Sequence, residues 1–268
     1  MNTATRKFLK LFLAKLSATA LCLAVGLGAT SAAQADEADA KKLLKSMSDY
    51  LAAQKTTSFH YDTELEFVTK DGQKLALASS GKVTMNRPDK IRLTRTGGFA
   101  DVEFLFDGKT VTLLGKDTNQ YFQLEAPGTI DQLVNAFREK GRPVPGADLL
   151  LSDVYGKLMS HVVNVKDLGS GVIGGIECDH LAFRTDLVDW EIWIAQGNRP
   201  YPCRYIVTSV KAPQAPQYRI TIRDWKDGDK VGRADFNFKN ATKAKKADLP
   251  DLPDMDELPA IFAVGAEK

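Results

Sequence analysis

The sequence predicts an α+β protein built on a strongly curved, incomplete antiparallel β-barrel whose concave side is covered by helices. Residues 58–124 alternate apolar and polar side chains in short runs separated by tight turns, which is typical of antiparallel strands. The same period of two returns after residue 161, and the stretch between has helical spacing. About twelve strands are too strongly twisted for one flat sheet, so the sheet is expected to curl.

The first 35 residues have the three parts of a secretory signal peptide. Basic residues come first, an apolar run over 16–29 follows, and a small-x-small cleavage site, Ala-Gln-Ala, lies at 33–35. An uncleaved anchor helix is the alternative, but the run is shorter than the roughly 20 residues that cross a bilayer. A lipoprotein is disfavoured, because Cys22 follows Leu21 instead of a small residue. We therefore predict cleavage after Ala35, with no stable transmembrane segment left.

The charge of the processed chain argues against nucleic acid as a partner. The signal peptide holds four of the 36 basic residues and no acidic one, so 32 basic residues remain against 34 acidic ones. The net charge is then about −2, without the excess of positive charge that binding to phosphates requires. The remaining 233 or so residues predict a single domain over 36–243 and a Pro- and Asp-rich tail over 244–268, extended or disordered. The oligomeric state stays open.

The predicted elements follow from periodicity. Residues 36–53 form an amphipathic helix, and a strand over 58–69 returns through an Asp-Gly turn to a strand over 75–85. In that return strand the small residues Ser79 and Gly81 either allow sharp curvature or leave room for a helix or ligand. Further strands are predicted near 90–95, 101–106, 110–115, 120–124, 162–168, 176–185, 190–195, 203–210, 218–226 and 231–238, with helices over 129–141 and 147–160.

Catalytic chemistry is not expected. Cys178-Asp179-His180 is the one tempting cluster, but residues two apart on a strand have Cβ atoms about 6 to 7 Å apart, too far for direct pairing. A structural role is favoured for this cluster over a thiol enzyme or a metal site. Glu64 and Glu66 are interpreted as a solvated strand face. We therefore expect no enzyme activity, no metal and no cofactor.

Cys178 and Cys203 remain after processing, and either a disulfide or two small, half-buried side chains is possible. In a simple meander one strand lies between them, so their Cα atoms would be roughly 9 to 10 Å apart. That exceeds the limit of about 7 Å for a disulfide, so free thiols are favoured.

Two further pairs have a role to be assigned, and on a strand the spacing of Trp190 and Trp193 places them on opposite faces. Trp190 and Trp193 are interpreted chiefly as core residues, with one of them able to line a cavity. Arg92 and Arg95 are expected in surface salt bridges, with a lipid head group as the alternative contact.

The order of elements, with particular residues, resembles the superfamily of the bacterial lipoprotein carriers LolA and LolB. The resemblance is carried by Arg87-Pro88-Asp89-Lys90-Ile91-Arg92, Phe106-Asp107-Gly108-Lys109, Asn119-Gln120-Tyr121 and Ala126-Pro127. In that superfamily an incomplete antiparallel barrel covered by helices encloses an apolar cavity. The resemblance therefore implies a LolA-like domain with such a cavity.

A narrower resemblance, to a family of predicted periplasmic proteins, covers nearly the whole processed chain. It is carried by the segments 175–183, 188–194, 200–202 and 127–131, and by Gln217-Tyr218. Cys203 departs from the pattern, which has a basic residue there. This resemblance implies the periplasm as the compartment and leaves the ligand open.

Together these observations predict a periplasmic binding or carrier protein for an apolar ligand, such as an acyl chain, a lipid or a lipoprotein anchor. The alternative is a cell-envelope sensor that binds a protein partner on the same fold. The ligand would lie against inward side chains of the first hairpin and the following strands: Tyr61, Leu65, Phe67, Leu77, Val83, Ile91, Leu93 and Trp190.

Overall fold

The computed structural model describes residues 29–98, 101–139 and 146–247. The helices are α1 (Ala29–Ala53), α2 (Ile130–Glu139) and α3 (Val154–Leu158), with 3-10 helices at Ala147–Leu150 and Gly228–Lys230. The strands are β1 (Thr56–Val68), β2 (Lys74–Asn86), β3 (Lys90–Gly97), β4 (Asp101–Phe106), β5 (Thr110–Gly115), β6 (Gln120–Glu125), β7 (Asn164–Ile173), β8 (Ile176–Arg184), β9 (Asp189–Ala195), β10 (Pro202–Thr208), β11 (Gln217–Asp227) and β12 (Lys245–Lys246).

The described strands form a single curved sheet that does not close into a barrel. Their order is β12-β6-β5-β4-β3-β2-β1-β11-β10-β9-β8-β7. Consecutive strands therefore pair with one another within the first half of the sheet, β1 to β6, and within the second half, β7 to β11. The two halves meet where β1 pairs with β11, from Thr57 opposite Asp227 to Leu65 opposite Tyr218. All pairs are antiparallel except β12 with β6. The predicted antiparallel, unclosed sheet is confirmed.

One face of the sheet, which carries Phe59, Val83 and Tyr205 and is called the inner face below, holds the main apolar core. Helix α1 places the buried side chains of Leu44 and Met47 in this core. The amphipathic pattern of 36–53 is thus confirmed, although the helix already begins at Ala29. No helix among the described residues is long and apolar enough to cross a membrane.

The helix predicted over 147–160 is wrong as a continuous element. The chain forms a 3-10 helix that ends at Leu150, Leu151 is extended, and α3 begins three residues later at Val154. Asp153 caps α3 by accepting a hydrogen bond from the Gly156 N–H, and Ser152 N–H donates to Asp131 of α2. These side chains stabilise the break, which apolar periodicity does not reveal.

The strand predicted over 231–238 is also wrong. This segment crosses the face opposite the inner face, where Asp235 O accepts from Arg92 and the ring of Phe238 lies 4.8 Å from that of Tyr121. The chain then reaches β6 and adds the two residues of β12 to it. Most of the predicted tail, residues 248–268, lies outside the described residues. Residues 1–28 of the proposed signal peptide, and the side chains of the cleavage motif at 33–35, lie outside them as well.

The small residue at position 81 is explained by packing within the protein. A Cβ at Gly81 would lie 2.6 Å from the ring of Tyr61 and 2.0 Å from the carbonyl oxygen of Thr94. The Tyr61 hydroxyl donates to the same oxygen at 2.9 Å. The space over Gly81 is therefore filled by Tyr61.

A polar network joins α1 to the end of β11. Tyr50 of α1 donates to Asp227, which also accepts from Arg199 Nε at 3.0 Å. Burial acts to raise the pKa of Asp227, but the hydrogen bonds from Tyr50 and Arg199 outweigh it and hold the pKa below its ordinary 3.8. The carboxylate form is thus stabilised in the folded protein.

This network predicts a specific loss of stability in acid. Because the folded pKa lies below the unfolded one, the contribution of Asp227 is complete above pH 3.8 and is lost as the pH falls through the folded pKa. Asp227→Asn should cost about 2 kcal/mol at pH 7 and show a shallower decline below pH 4. Urea midpoints at a series of pH values measure both effects. Asp229→Asn, at an exposed site nearby, is the control; parallel pH curves for Asp227→Asn and the unaltered protein would contradict the prediction.

Candidate functional site

A cavity of about 380 Å³ lies between helix α2, the following 3-10 helix and the inner face of the sheet. It is open to solvent on one side. The apolar part of its wall consists of Leu65, Val134, Val188, Tyr205, Val207, Pro216 and Tyr218. Its volume is within the range of small-molecule sites, at the lower end.

The sheet contributes a continuous row to this wall. Leu65 on β1 faces Tyr218 on β11, and Tyr218 faces Val207 on β10. Residues that are directly opposite on neighbouring strands point to the same face, so the three side chains line up beneath α2. The pairing of β1 with β11, which joins the two halves of the chain, thereby builds the floor of the cavity.

Helix α2 is fixed over this row at both ends. Thr129 and Gln132 exchange hydrogen bonds between side chain and backbone, at 2.8 and 3.2 Å, in a capping box. Toward the other end, Phe137 packs edge-on against Phe104 of β4 with ring centroids 6.3 Å apart. Val134, between these two anchors, lines the cavity.

The polar part of the wall is formed by paired charges. Arg138 of α2 binds Asp148 of the 3-10 helix at 2.5 Å. Glu66 accepts from Lys74 at 3.0 Å and from the backbone N–H of Gln217 at 2.9 Å. The charged residues of the cavity wall are therefore already bonded within the protein, and the part of the wall available for a ligand is mainly apolar.

Of the predicted ligand-contacting residues, Leu65 lies in the cavity wall. Leu77, half-exposed, is opposite Leu65 on β2, and Leu93 packs against the main core. The others are buried in or beside that core: Tyr61, Phe67, Val83, Ile91 and Trp190. The structure thus brings Leu65 together with residues that we did not single out from the sequence, chiefly Tyr205, Val207 and Tyr218. The alternation of β10 and β11 could have indicated them, but not their position beneath α2.

The side chain of His180 contacts neighbouring residues of the sheet. Its ring stacks on Trp193 with centroids 3.9 Å apart, and its Nε2 lies 2.7 Å from Glu191 Oε2. Trp190 points to the inner face and stacks on Phe183, so the two tryptophans lie on opposite faces as their spacing predicts. In the described part of the chain, no three His, Cys, Asp or Glu side chains are placed to hold a metal ion.

The arginines and glutamates that the sequence analysis considered, Arg92, Arg95, Glu64 and Glu66, all make polar contacts. Arg92 binds Glu103 at 2.5 Å on the outer side of the sheet, and Arg95 Nε donates to Ser79 at 3.1 Å on the inner face. Glu64 binds Arg219 at 2.5 Å. The surface salt bridge predicted for Arg92 is confirmed, and Glu64 lies on the exposed polar face predicted for it.

Both cysteines are free and fully buried, so the predicted half-burial is wrong. As the meander predicts, β9 lies between their strands. A bulge in β10 makes Cys203 the extra residue between Pro202 and Arg204, and it packs with Cys178 around Ala195. Contact with Cys178, together with burial, raises the pKa of the Cys203 thiol well above its usual value.

These thiols should be inert in the folded protein. Neither Cys178 nor Cys203 is expected to react with iodoacetamide at neutral pH, because reaction needs an exposed thiolate. Both should react once urea has unfolded the purified, processed chain, and mass spectrometry counts the adducts. Labelling of the native protein would contradict the buried arrangement. An absence of labelling in urea without a reductant would show a disulfide instead.

The fold and the cavity define a mostly-β protein with a half-open apolar pocket under one helix. The chain belongs to the family described as "Predicted periplasmic protein (DUF2092)", whose model matches residues 40–249. The family resemblance predicted from the sequence is thereby confirmed. No curated protein matches the chain.

Several solved structures are similar over most of the chain. The lipoprotein LppX of Mycobacterium tuberculosis is 13% identical, with a TM-score of 0.38 over 75% of this chain and 100% of that one. LprF of Mycobacterium bovis is 11% identical, with a TM-score of 0.41 over 70% and 92%. A structure of the MucA/MucB complex of Pseudomonas aeruginosa is 14% identical, with a TM-score of 0.41 over 72% and 59%. Similarity at this level does not identify a ligand or a partner.

Proposed function

We propose that this protein binds an apolar ligand in the cavity beneath α2 and carries it in the periplasm. The observation that supports the proposal is a 380 Å³ space, open on one side, whose wall has seven apolar or aromatic side chains. Burial of about ten methylenes would contribute roughly 8 kcal/mol, which is enough to offset the lower estimates of the cost of association.

We also infer that the helices lie on the concave side of the sheet. The supporting observation is that α1, α2 and α3 share one apolar core with the inner-face strands. The signal peptide would direct export and be cleaved after Ala35, and the protein would act by binding and not by catalysis. The described residues of the cavity wall include no cysteine or histidine, and the two carboxylates there, Glu66 and Asp148, are paired with Lys74 and Arg138.

The experiment begins with full-length precursor expressed in a Gram-negative host and purified from its periplasm. N-terminal sequencing should give Asp36 as the first residue. Native mass spectrometry and solvent extraction should find an apolar molecule bound to the purified protein, and a fluorescent fatty ligand should bind once that molecule is removed. Failure to find a co-purified ligand, together with no binding of the fluorescent one, would contradict the proposal.

A variant pair assigns the binding to this cavity. Val207→Trp would fill the space under α2 and should weaken binding of the fluorescent ligand at least tenfold. The matched control is Val172→Trp on the edge strand β7, where the valine is 59% exposed. Equal affinity in both variants would place the ligand elsewhere.

Crosslinking in the periplasm that captured one protein and no lipid would favour the sensor alternative.

A further inference from the structure

We infer that the ligand has a single acyl or alkyl chain of about twelve to fourteen carbons with an uncharged polar end. The chain length follows from comparing the volume of this cavity with that of a cavity known to hold benzene. This inference rests on the proposed function and narrows it. Among the candidates that the sequence leaves open, it favours a single-chain lipid over a two-chain phospholipid or a multiply acylated lipoprotein anchor.

The volume sets the number of chains. An apolar cavity of about 150 Å³ holds benzene, which corresponds to about 25 Å³ for each carbon. At that density, the 380 Å³ cavity has room for about 15 non-hydrogen atoms. One chain with a small polar end fits within this number, and a second chain of the same length does not.

The surrounding core leaves the cavity little room to grow. Next to the Tyr205 wall, Ile192 is fully buried and Trp190 is 3% exposed. At another side, a methyl group added at Gly146 would already lie in van der Waals contact with the Tyr218 ring, at 3.7 Å, so the space there is no larger than one methyl group. Close-packed interiors resist expansion, because displaced side chains are forced out of their preferred rotamers.

The charges of the wall set the nature of the polar end. The cavity wall contains two carboxylates, Glu66 and Asp148, and one guanidinium, Arg138. Arg138 is engaged by Asp148 at 2.5 Å and by Asn135 at 2.9 Å. A ligand carboxylate would have to displace Asp148 from Arg138, or remain unpaired beside Glu66, whose own charge is already paired with Lys74 at 3.0 Å. An alcohol or another uncharged end avoids both costs.

Calorimetry on the delipidated protein tests chain number and length. The probes are normal alcohols from eight to eighteen carbons, dodecanoate at pH 8, and a phosphatidylcholine with two oleoyl chains. Affinity should rise about fourfold for each added methylene and level off at about twelve to fourteen carbons. Dodecanoate should bind at least tenfold more weakly than dodecanol, and the phosphatidylcholine should not bind measurably.

The outcomes separate the two proposals. Affinity that still rises at eighteen carbons, tighter binding of dodecanoate, or binding of the two-chain lipid alone would overturn this inference while leaving an apolar carrier intact. Failure of every probe would remove the proposed function as well. Val207→Phe should move the plateau to shorter alcohols, whereas Val172→Phe should leave it unchanged. If Val207→Phe does not fold, Val134→Phe fills the same cavity from the helix side, and an unshifted plateau there would count against the inference.

Discussion

Replacing Gly81 with alanine is expected to lower the free energy of unfolding by about 3 kcal/mol or more. The added methyl group would lie 2.0 Å from the carbonyl oxygen of Thr94 and 2.6 Å from the Tyr61 ring. The Thr94 oxygen belongs to the backbone of the neighbouring strand β3, which is paired with β2 over eight residues. The clash therefore cannot be relieved by turning a flexible side chain.

Urea unfolding followed by circular dichroism measures this loss. Gly232→Ala is a suitable control, because no atom of the described residues lies within 4 Å of its Cβ position. This substitution should change the free energy of unfolding by less than about 0.5 kcal/mol. A Gly81→Ala variant as stable as the control would show that Tyr61 does not occupy the space over Gly81.

The second large effect is expected at Trp225, where alanine should cost about 3 kcal/mol. Its ring lies between those of Phe59 and Tyr201, with centroids 5.2 Å from each and nearly parallel planes. Its Nε1 also donates to the Tyr50 hydroxyl at 3.0 Å. Loss of this ring would remove two aromatic contacts and one link between α1 and the sheet.

Trp193→Ala provides the matched control, since it removes the same side chain from the outer face. Trp193 stacks on His180, and Arg204 lies 5.8 Å from its ring centre. We expect a smaller loss there, about 1 to 2 kcal/mol. Thermal unfolding of both variants measures the difference. A loss at Trp193 that equals or exceeds the loss at Trp225 would contradict the assignment of Trp225 as the link between α1 and β11.

The sequence was sufficient for elements whose side chains alternate or recur regularly. Strands β1 to β6 were predicted almost at their observed bounds, because alternating apolar residues between Asp-Gly and Asn-containing turns leave one favourable register. Helix α2 was predicted from its cap at Thr129 and its apolar spacing. The secondary structure predicted for residues 147–160 and 231–238 was wrong. The apolar side chains in these segments contact distant elements and do not follow a local period.

The candidate site was less accessible to sequence reasoning for a related reason. The sequence predicted an apolar inner face and included Leu65, but it placed the ligand along the first half of the chain. The cavity instead lies at the junction of the two halves, beneath α2, where Leu65, Tyr218 and Val207 form one row. That row depends on the register between β1 and β11, which are separated by more than 140 residues in the chain.

The sequence by itself determined the antiparallel strands, the amphipathic first helix and the family, since each depends on local periodicity or on a contiguous motif. The tertiary structure decided which side chains meet, because bulges such as those in β11 and β10 change the alternation that the sequence suggests. One lies opposite Phe59, where Asp224 has a φ of 55° and Trp225 is turned onto Phe59. The other makes Cys203 the extra residue and packs it with Cys178. A bulge adds one residue to one strand, and only the partner strand shows where it occurs.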